Sequence, residues 1–315
     1  MFGSHDGYVY ALRSRDGVLV WRWRAAPSDR RIMAYGQLES TWPVAGGVLV
    51  HDGLALVVAG RATDASGGLV VHAIEPETGE LRWTNRIDDA LYGNCDPLVT
   101  DGQYVYLMDK RIDVKTGEIL KLDGFSYGES ERGGAAVQYP EGIRYLRGGK
   151  AGMLETSWTQ LDMGLRKAQL TWTWGDTDGE ILSFTDDTVY AFQINSGGLD
   201  HRGRQRMWRS PESNGGGIIL ARIADADITR WTYELPVPAQ VEAMLTTRES
   251  LFISGPNDRS VPGGSGFLSA ISRDGNGEPS TITLTSAPVH DGIAAANGNI
   301  FAVLRDGSII SLGAK

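Results

Sequence analysis

The sequence predicts an all-β fold built by repeating one strand-turn-strand unit in a radial or solenoidal array. Three observations predict it. The first is the phrase YVYALRSRDGVLVWRWRAA at residues 8–26. There Tyr8, Tyr10 and Leu12 alternate with Val9, Ala11 and Arg13 before an Arg-Asp-Gly turn leads into Val18, Val20, Trp21 and Trp23. Period-two alternation broken by an Asp-Gly turn is the pattern of two antiparallel strands. The second is recurrence. Residues 69–84 repeat the phrase with Trp83 in the place of Trp21, residues 111–122 shorten it, residues 217–233 bring Trp231 to its end, and residues 266–284 keep the turn as RDGNGE. A unit that returns in this way covers its neighbour's apolar face. The third is composition: 41 Gly, 9 Trp and 11 Tyr suit short strands closed by glycine turns, and no long Ala/Glu/Lys/Leu run is present to make a helix.

Bulk properties narrow the partners. The 315 residues exceed the usual domain length, but repeated sheets extend by adding units, so a single domain is expected. A formal charge of −9 opposes a phosphate backbone and argues against nucleic acid. The single cysteine, Cys95, rules out an intrachain disulfide and a multi-cysteine metal site, and reads as a small buried residue. No segment offers the ~20 unbroken apolar residues of a membrane span. No charged stretch followed by an apolar core opens the chain, so no signal peptide is visible.

The recurring residues, Tyr-Ala-Leu or an equivalent followed by Thr-Gly or Asp-Gly and then Trp, resemble the repeat of the pyrroloquinoline-quinone-like (PQQ-like) β-propellers. That superfamily includes quinoprotein dehydrogenases and the bacterial outer-membrane assembly scaffold lipoprotein. The resemblance covers most of the chain and implies a β-propeller of four-stranded antiparallel blades; it implies no particular reaction. Residues 26–44 and 287–313 are similar to a bacterial subgroup found in multi-domain or secreted proteins. This implies a periplasmic or secreted parent protein.

Taken in order, residues 40–86 read as one whole blade, with STWPVAGGVLVHDG, LALVVAGRA, GLVVHAIEP and ELRWTNR as its four strands. Residues 94–122 compress the same order to NCDPLVTDG, QYVYLMD, RIDVKTG and EILKL. From Phe125 to Trp174 the phrase breaks down into one irregular blade with long loops and a short strand around Ile143 to Leu146. EILSFTDD and TVYAFQIN restart it, residues 196–216 insert a loop carrying Arg202, Arg204, Arg206 and Arg209, and residues 217–235 close that blade. A further blade runs from Val241 to Leu284, and DGIAAANG, NIFAVLRDG and SIISLG supply three last strands. The strand VLVWRWR at 18–24 is expected to join those three as a composite blade, which would hide both edges. Six blades are counted in this way, with seven, or an incomplete part of an eight-bladed ring, as alternatives. Either the protein is cytoplasmic or, as is preferred, a leader and one or two N-terminal blades are expected ahead of Met1 in a longer parent.

The connection 27–42, PSDRRIMAYGQLESTW, is long for a link between blades, where about two to six residues are usual. It holds Arg30, Arg31, Tyr35, Gln37, Glu39 and Trp42. Guanidinium forks grip carboxylates and aromatic faces stack on sugars or flat rings, so these six are candidates for binding a polar small molecule or an acidic glycan. The competing expectation is that the two arginines pair with Asp29 and Glu39 and pin the loop. Trp158 and Trp172, with Trp174, fall outside the repeat and are candidates for a stacking surface. Trp21, Trp83, Trp208 and Trp231 recur once per blade and are expected to cover the gap between blades, each burying ~200 Å². His5, His51, His72, His201 and His290 are scattered without metal-ligand spacing, and capping of Asp-Gly turns explains His5, His51 and His290. No nucleophile elbow or phosphate-cradling loop is present, and no metal is expected. A carboxylate pair such as Glu155 with Asp162 on the irregular blade could do acid-base work, as could many chance pairs in a chain with 39 acidic residues.

Three functions compete. The first, which is preferred, is a non-catalytic propeller, monomeric and without cofactor, that presents its loops to a protein or polysaccharide partner. The second is an oxidoreductase using the quinone and calcium, as the resemblance implies for the dehydrogenases. It would need vicinal cysteines, which a chain with Cys95 alone does not have. The third is an enzyme acting on acidic polysaccharide through the arginine-rich segments 27–42 and 196–216.

Overall fold

The computed structural model describes residues 1–34, 37–44, 47–63, 65–88, 98–100, 104–107, 110–121, 135–138, 153–156, 172–174, 177–179, 181–185, 187–194, 216–223, 228–261 and 263–313. Every regular element among them is a β-strand. Cys95, Trp158, Trp208 and nearly all of the insertion 196–216 lie outside the described residues, as does most of the irregular blade. The chain divides into two compact units, Met1–Val137 with Trp158–Ala168, and Gln138–Ser157 with Gln169–Lys315.

The first unit begins with β1 (Phe2–Gly3), β2 (Tyr8–Leu12) and β3 (Leu19–Arg24), which form a three-stranded antiparallel sheet. A two-stranded hairpin of β4 (Arg31–Ala34) and β5 (Gln37–Ser40) follows. Two four-stranded meanders come next. One contains β6 (Leu49–His51), β7 (Leu54–Ala59), β8 (Leu69–Ile74) and β9 (Leu81–Ile87). The other contains β10 (Val99–Thr100), β11 (Tyr104–Leu107), β12 (Lys110–Asp113) and β13 (Ile119–Lys121). Each matches the blade read from sequence. β14 (Ala135–Gln138) lies at the boundary of the two units, and β15 (Met153–Thr156) belongs to the second.

In the second unit β16 (Trp172–Trp174) and β17 (Thr177–Gly179) make a short pair. Then come two more four-stranded meanders, β18 (Ile181–Phe184), β19 (Thr188–Ile194), β20 (Gly217–Ile223) and β21 (Thr229–Leu235), and β22 (Ala243–Thr246), β23 (Ser250–Pro256), β24 (Gly266–Ser272) and β25 (Ser280–Leu284). β26 (Pro288–Ala296), β27 (Asn299–Leu304) and β28 (Ile309–Gly313) close the unit as a three-stranded sheet. The composite blade expected from sequence is therefore replaced by two three-stranded sheets. β3 pairs with β2 across five Cα partners, and β28 pairs with β27. Six residues separate β2 from β3, so that hairpin closes at little entropic cost, whereas β28 lies nearly 300 residues along the chain from β3.

Consecutive sheets lean on one another through apolar faces. Val9 and Ala25 of the first sheet share a core with Val44, Ala55, Val57 and Ile74. Leu56, Val58, Val71 and Ile87 share the next with Val105, Leu107 and Ile112. In the second unit Tyr190, Phe192 and Ile219 pack against Leu251, Ile253 and Phe267. Ala243 and Leu268 pack against Ile293, Ala302 and Leu304.

The repeated tryptophans seal these junctions in one way. Trp21 Nε1 donates to the Pro76 carbonyl at 3.0 Å, Trp83 Nε1 to Val114 at 2.8 Å, and Trp231 Nε1 to Arg273 at 2.9 Å. Each indole lies over the glycine of the receiving turn. A methyl added at Gly79 would sit 2.9 Å from the Trp21 ring, one at Gly117 2.6 Å from Trp83, and one at Gly275 2.5 Å from Trp231. Gly79 also holds φ +75°, so its lack of a side chain serves both the turn and the close approach. Across its own sheet each indole faces an alanine, Ala11, Ala73 or Ala221, whose small side chain leaves it room to lie flat.

Candidate functional site

The connection 27–42 contains a β-hairpin where the sequence reading expected a loop. Arg31 pairs with Ser40, Ile32 with Glu39, Met33 with Leu38 and Ala34 with Gln37. Alternation puts Met33 and Leu38 on one face and Ile32 and Glu39 on the other. The Met33–Leu38 face is open to solvent, with 72% and 60% of these side chains exposed. Arg30 and Arg31 are exposed beside it, and Arg31 stands 3.6 Å from the equally exposed Asp29.

The opposite face anchors the hairpin. Glu39 is 4% exposed, and its carboxylate takes a hydrogen-bonded ion pair from Arg61 and a contact at 3.2 Å from His5 Nδ1. The root is stitched to the first sheet. Ser40 N donates to the His5 carbonyl at 2.8 Å, Val44 N to Ser4 at 3.0 Å, and Ala25 N and Ala26 N both to Gly7 at 3.0 Å. Thr41 closes the base by donating from N and Oγ1 to the Arg30 carbonyl at 2.9 and 3.0 Å. A buried carboxylate with a guanidinium partner is costly to unpair, so this pair fixes the root.

Of the residues singled out from sequence, Arg30 and Arg31 stand on the surface, whereas Glu39 and Trp42 turn inward. Trp42 packs with Val44, Ala55 and Val57 rather than offering a stacking face, and its buried indole N–H has no hydrogen-bond partner among the described residues. Tyr35, Trp158 and the side chain of Gln37 lie outside the described residues. Trp172 is placed by its backbone alone, opposite Gly179. Glu39 pairs with Arg61, not with either arginine of its own segment. His5 contacts Glu39, and the turn beside it is capped by Asp6, whose carboxylate accepts the Tyr8 amide at 3.0 Å. Sequence reasoning missed Met33, Leu38 and Arg61. The signal for the first two was alternation around Tyr35-Gly36 in RIMAYGQLES; nothing marked Arg61.

A second polar feature lies beneath the first sheet. His72 is 6% exposed, with Nε2 donating to the Ala25 carbonyl at 2.9 Å and Nδ1 accepting from the Thr84 hydroxyl at 2.7 Å. Its ring meets Trp23 edge-on at 4.8 Å. Burial pushes its pKa down to about 4, against the opposing pull of the Ala25 carbonyl, so the imidazole is neutral and acts as a spacer between sheets. In the second unit Glu242, also buried, receives Arg305 at 3.2 Å.

The quinone and its calcium require a stacking indole and a converging set of acidic donors. Trp21, Trp83 and Trp231 have their faces on glycine turns and their N–H groups bonded, and no three His, Cys, Asp or Glu side chains among the described residues converge on a metal position.

Strand meanders that cover one another through a docked tryptophan are the blades of a β-propeller. Residues 5–124 match the family model described as outer membrane protein assembly factor BamB. The crystal structure of BamB from Moraxella catarrhalis is similar over 98% of this chain and 92% of that one, with 14% identity and a TM-score of 0.51, which shows a shared fold. Dihydro-heme d1 dehydrogenase NirN in complex with DHE is 12% identical at a TM-score of 0.48, covering 98% of this chain and 59% of that one. A europium-containing methanol dehydrogenase is 15% identical at 0.27, covering 89% and 48%. No curated protein matches the sequence.

Proposed function

We propose that this chain is a non-catalytic propeller that serves as a binding scaffold in the periplasm or a secreted protein, and that hairpin β4–β5 is the element it offers to a protein partner. One observation carries the reading: an insertion into the repeat holds an exposed Met33–Leu38 pair, flanked by Arg30 and Arg31, on a root locked by buried Glu39 and Arg61. An apolar pair with arginines at its rim is the composition of a protein-binding hot spot, and a rigid root lowers the entropy lost on docking. The match of residues 5–124 to an assembly-factor family supports the same class of role.

The test is a double variant, Met33→Ser with Leu38→Ser. It is expected to keep the native melting temperature and to lose the proteins that the native chain captures by crosslinking from an envelope extract. Unchanged capture overturns the reading. Dye reduction on adding the quinone and Ca²⁺ to the native chain would instead favour an oxidoreductase.

A further inference from the structure

The two-stranded sheet β4–β5 has one edge in use and one open, and its ladder fixes which backbone groups the open edge presents. Partners in an antiparallel pair alternate between residues that exchange hydrogen bonds and residues whose amides and carbonyls point away from each other. Thr41 N donates to the Arg30 carbonyl at 2.9 Å, which makes these two a bonded pair. The next pair, Arg31 with Ser40, must then point outward, and Ser40 N does so, reaching the His5 carbonyl at 2.8 Å. By the same alternation Ile32 with Glu39 and Ala34 with Gln37 are bonded pairs, while Met33 and Leu38 point outward. On β5 the outward edge meets the first sheet through Ser40. On β4 the outward groups are the amides and carbonyls of Arg31 and Met33, and none of the four has a partner among the described residues.

We infer that the open edge of β4 takes an extended segment of a protein partner as a third, antiparallel strand, one that carries an apolar side chain and, two residues on, a carboxylate. The inference rests on the role proposed for the hairpin and names what that role would recognise. Arg31 and Met33 are two residues apart and both exposed, so their side chains share the open face. Residues opposite them in an added strand would stand on that face too, with Cβ atoms roughly 5 Å away. Opposite Met33, an apolar residue extends the surface that Met33 and Leu38 begin. Opposite Arg31, a carboxylate meets a guanidinium whose one ion partner among the described residues is exposed Asp29 at 3.6 Å, a solvated contact that is easily exchanged. Antiparallel pairing is the more stable arrangement per residue, and it places the apolar residue first in the segment. A second copy of this chain is a poor occupant. Pairing β4 with β4 through these groups sets Arg31 opposite another Arg31, Met33 or Tyr35, and never opposite an acid.

The probe is the acetylated and amidated peptide TTVTETT, titrated into the full chain and followed through the backbone amide resonances. Saturable shifts and slowed hydrogen exchange are expected at the Arg31 and Met33 amides, while exchange at the Ile32 amide, already bonded to Glu39, stays as it was. Methylating the Val and Glu nitrogens of the peptide, which would face β4, is expected to weaken binding about tenfold or more, and methylating the Thr nitrogen between them to change it less than about twofold. Equal effects of the two methylations, or no saturable shift at Arg31 and Met33, overturn the added strand. In the chain, Met33→Pro removes an outward amide without touching the ladder to β5, so the shift at Arg31 should vanish. Met33→Ser keeps that amide and should weaken binding only in part. Equal loss in the two variants would reduce the contact to side chains and overturn the strand, yet leave the hairpin as the docking element. Unchanged capture by the double serine variant would instead remove the docking element itself, so the two failures are told apart. Shifts at the same amides that grow with chain concentration in the absence of peptide would make the occupant a second copy and overturn the assigned one.

Discussion

The turns under the docked tryptophans and hairpin β4–β5 are opposite solutions to the same problem, how a chain of sheets deals with apolar side chains at its margins. At Gly79 and Gly117 the indoles of Trp21 and Trp83 are laid flat on backbone and their N–H groups satisfied, so the aromatic area serves cohesion and little is left to offer a ligand. At β4–β5 the apolar pair Met33 and Leu38 is held out into water, and the cohesive work passes to the carboxylate on the other face, Glu39. The repeat spends its aromatic residues inward; the insertion spends its charge inward and shows its apolar side. The lesson is that a residue type does not announce its role. Trp42, the most ligand-like residue of the insertion by composition, is core, while Met33 is surface.

This contrast can be broken from either side. Trp83→Ala removes an indole from its glycine socket and leaves a void between two sheets, and should cost about 4 kcal/mol in denaturant unfolding. Arg61→Ala strands the buried Glu39 carboxylate and should cost about 3 kcal/mol. Amide exchange should then quicken across residues 31–40 while the core strand β8 stays protected, which distinguishes loss of the hairpin root from loss of the sheet.

Acid sharpens the comparison by acting on the sheets through His72. With the folded pKa of His72 at about 4 and the ordinary value at 6.5, the unfolded chain binds a proton between those limits that the folded chain refuses. The contribution of His72 is therefore complete above pH 6.5 and is lost as pH falls toward 4, by about 3 kcal/mol at most. A His72→Gln variant should flatten that part of the stability-against-pH curve. The smallest effect belongs to the hairpin tip: Met33→Ser with Leu38→Ser should move stability by less than about 0.5 kcal/mol, since both side chains are already in water.

The repeat itself was written in the sequence. Alternation and the Asp-Gly and Thr-Gly turns determined the strands of the blades at 40–86, 94–122, 180–235 and 241–284, because each of these depends on neighbours within a few residues, and the recurrence of Trp21, Trp83 and Trp231 once per unit marked them as covers between sheets. Tertiary structure decided the rest. That Glu39 would find Arg61 and His5, that His72 would sit between Ala25 and Thr84, and that β3 and β28 would each stay in a sheet of their own are matters of pairing over distance. Several partners of the right charge or edge compete for each such pairing, and burial in the folded chain selects one of them.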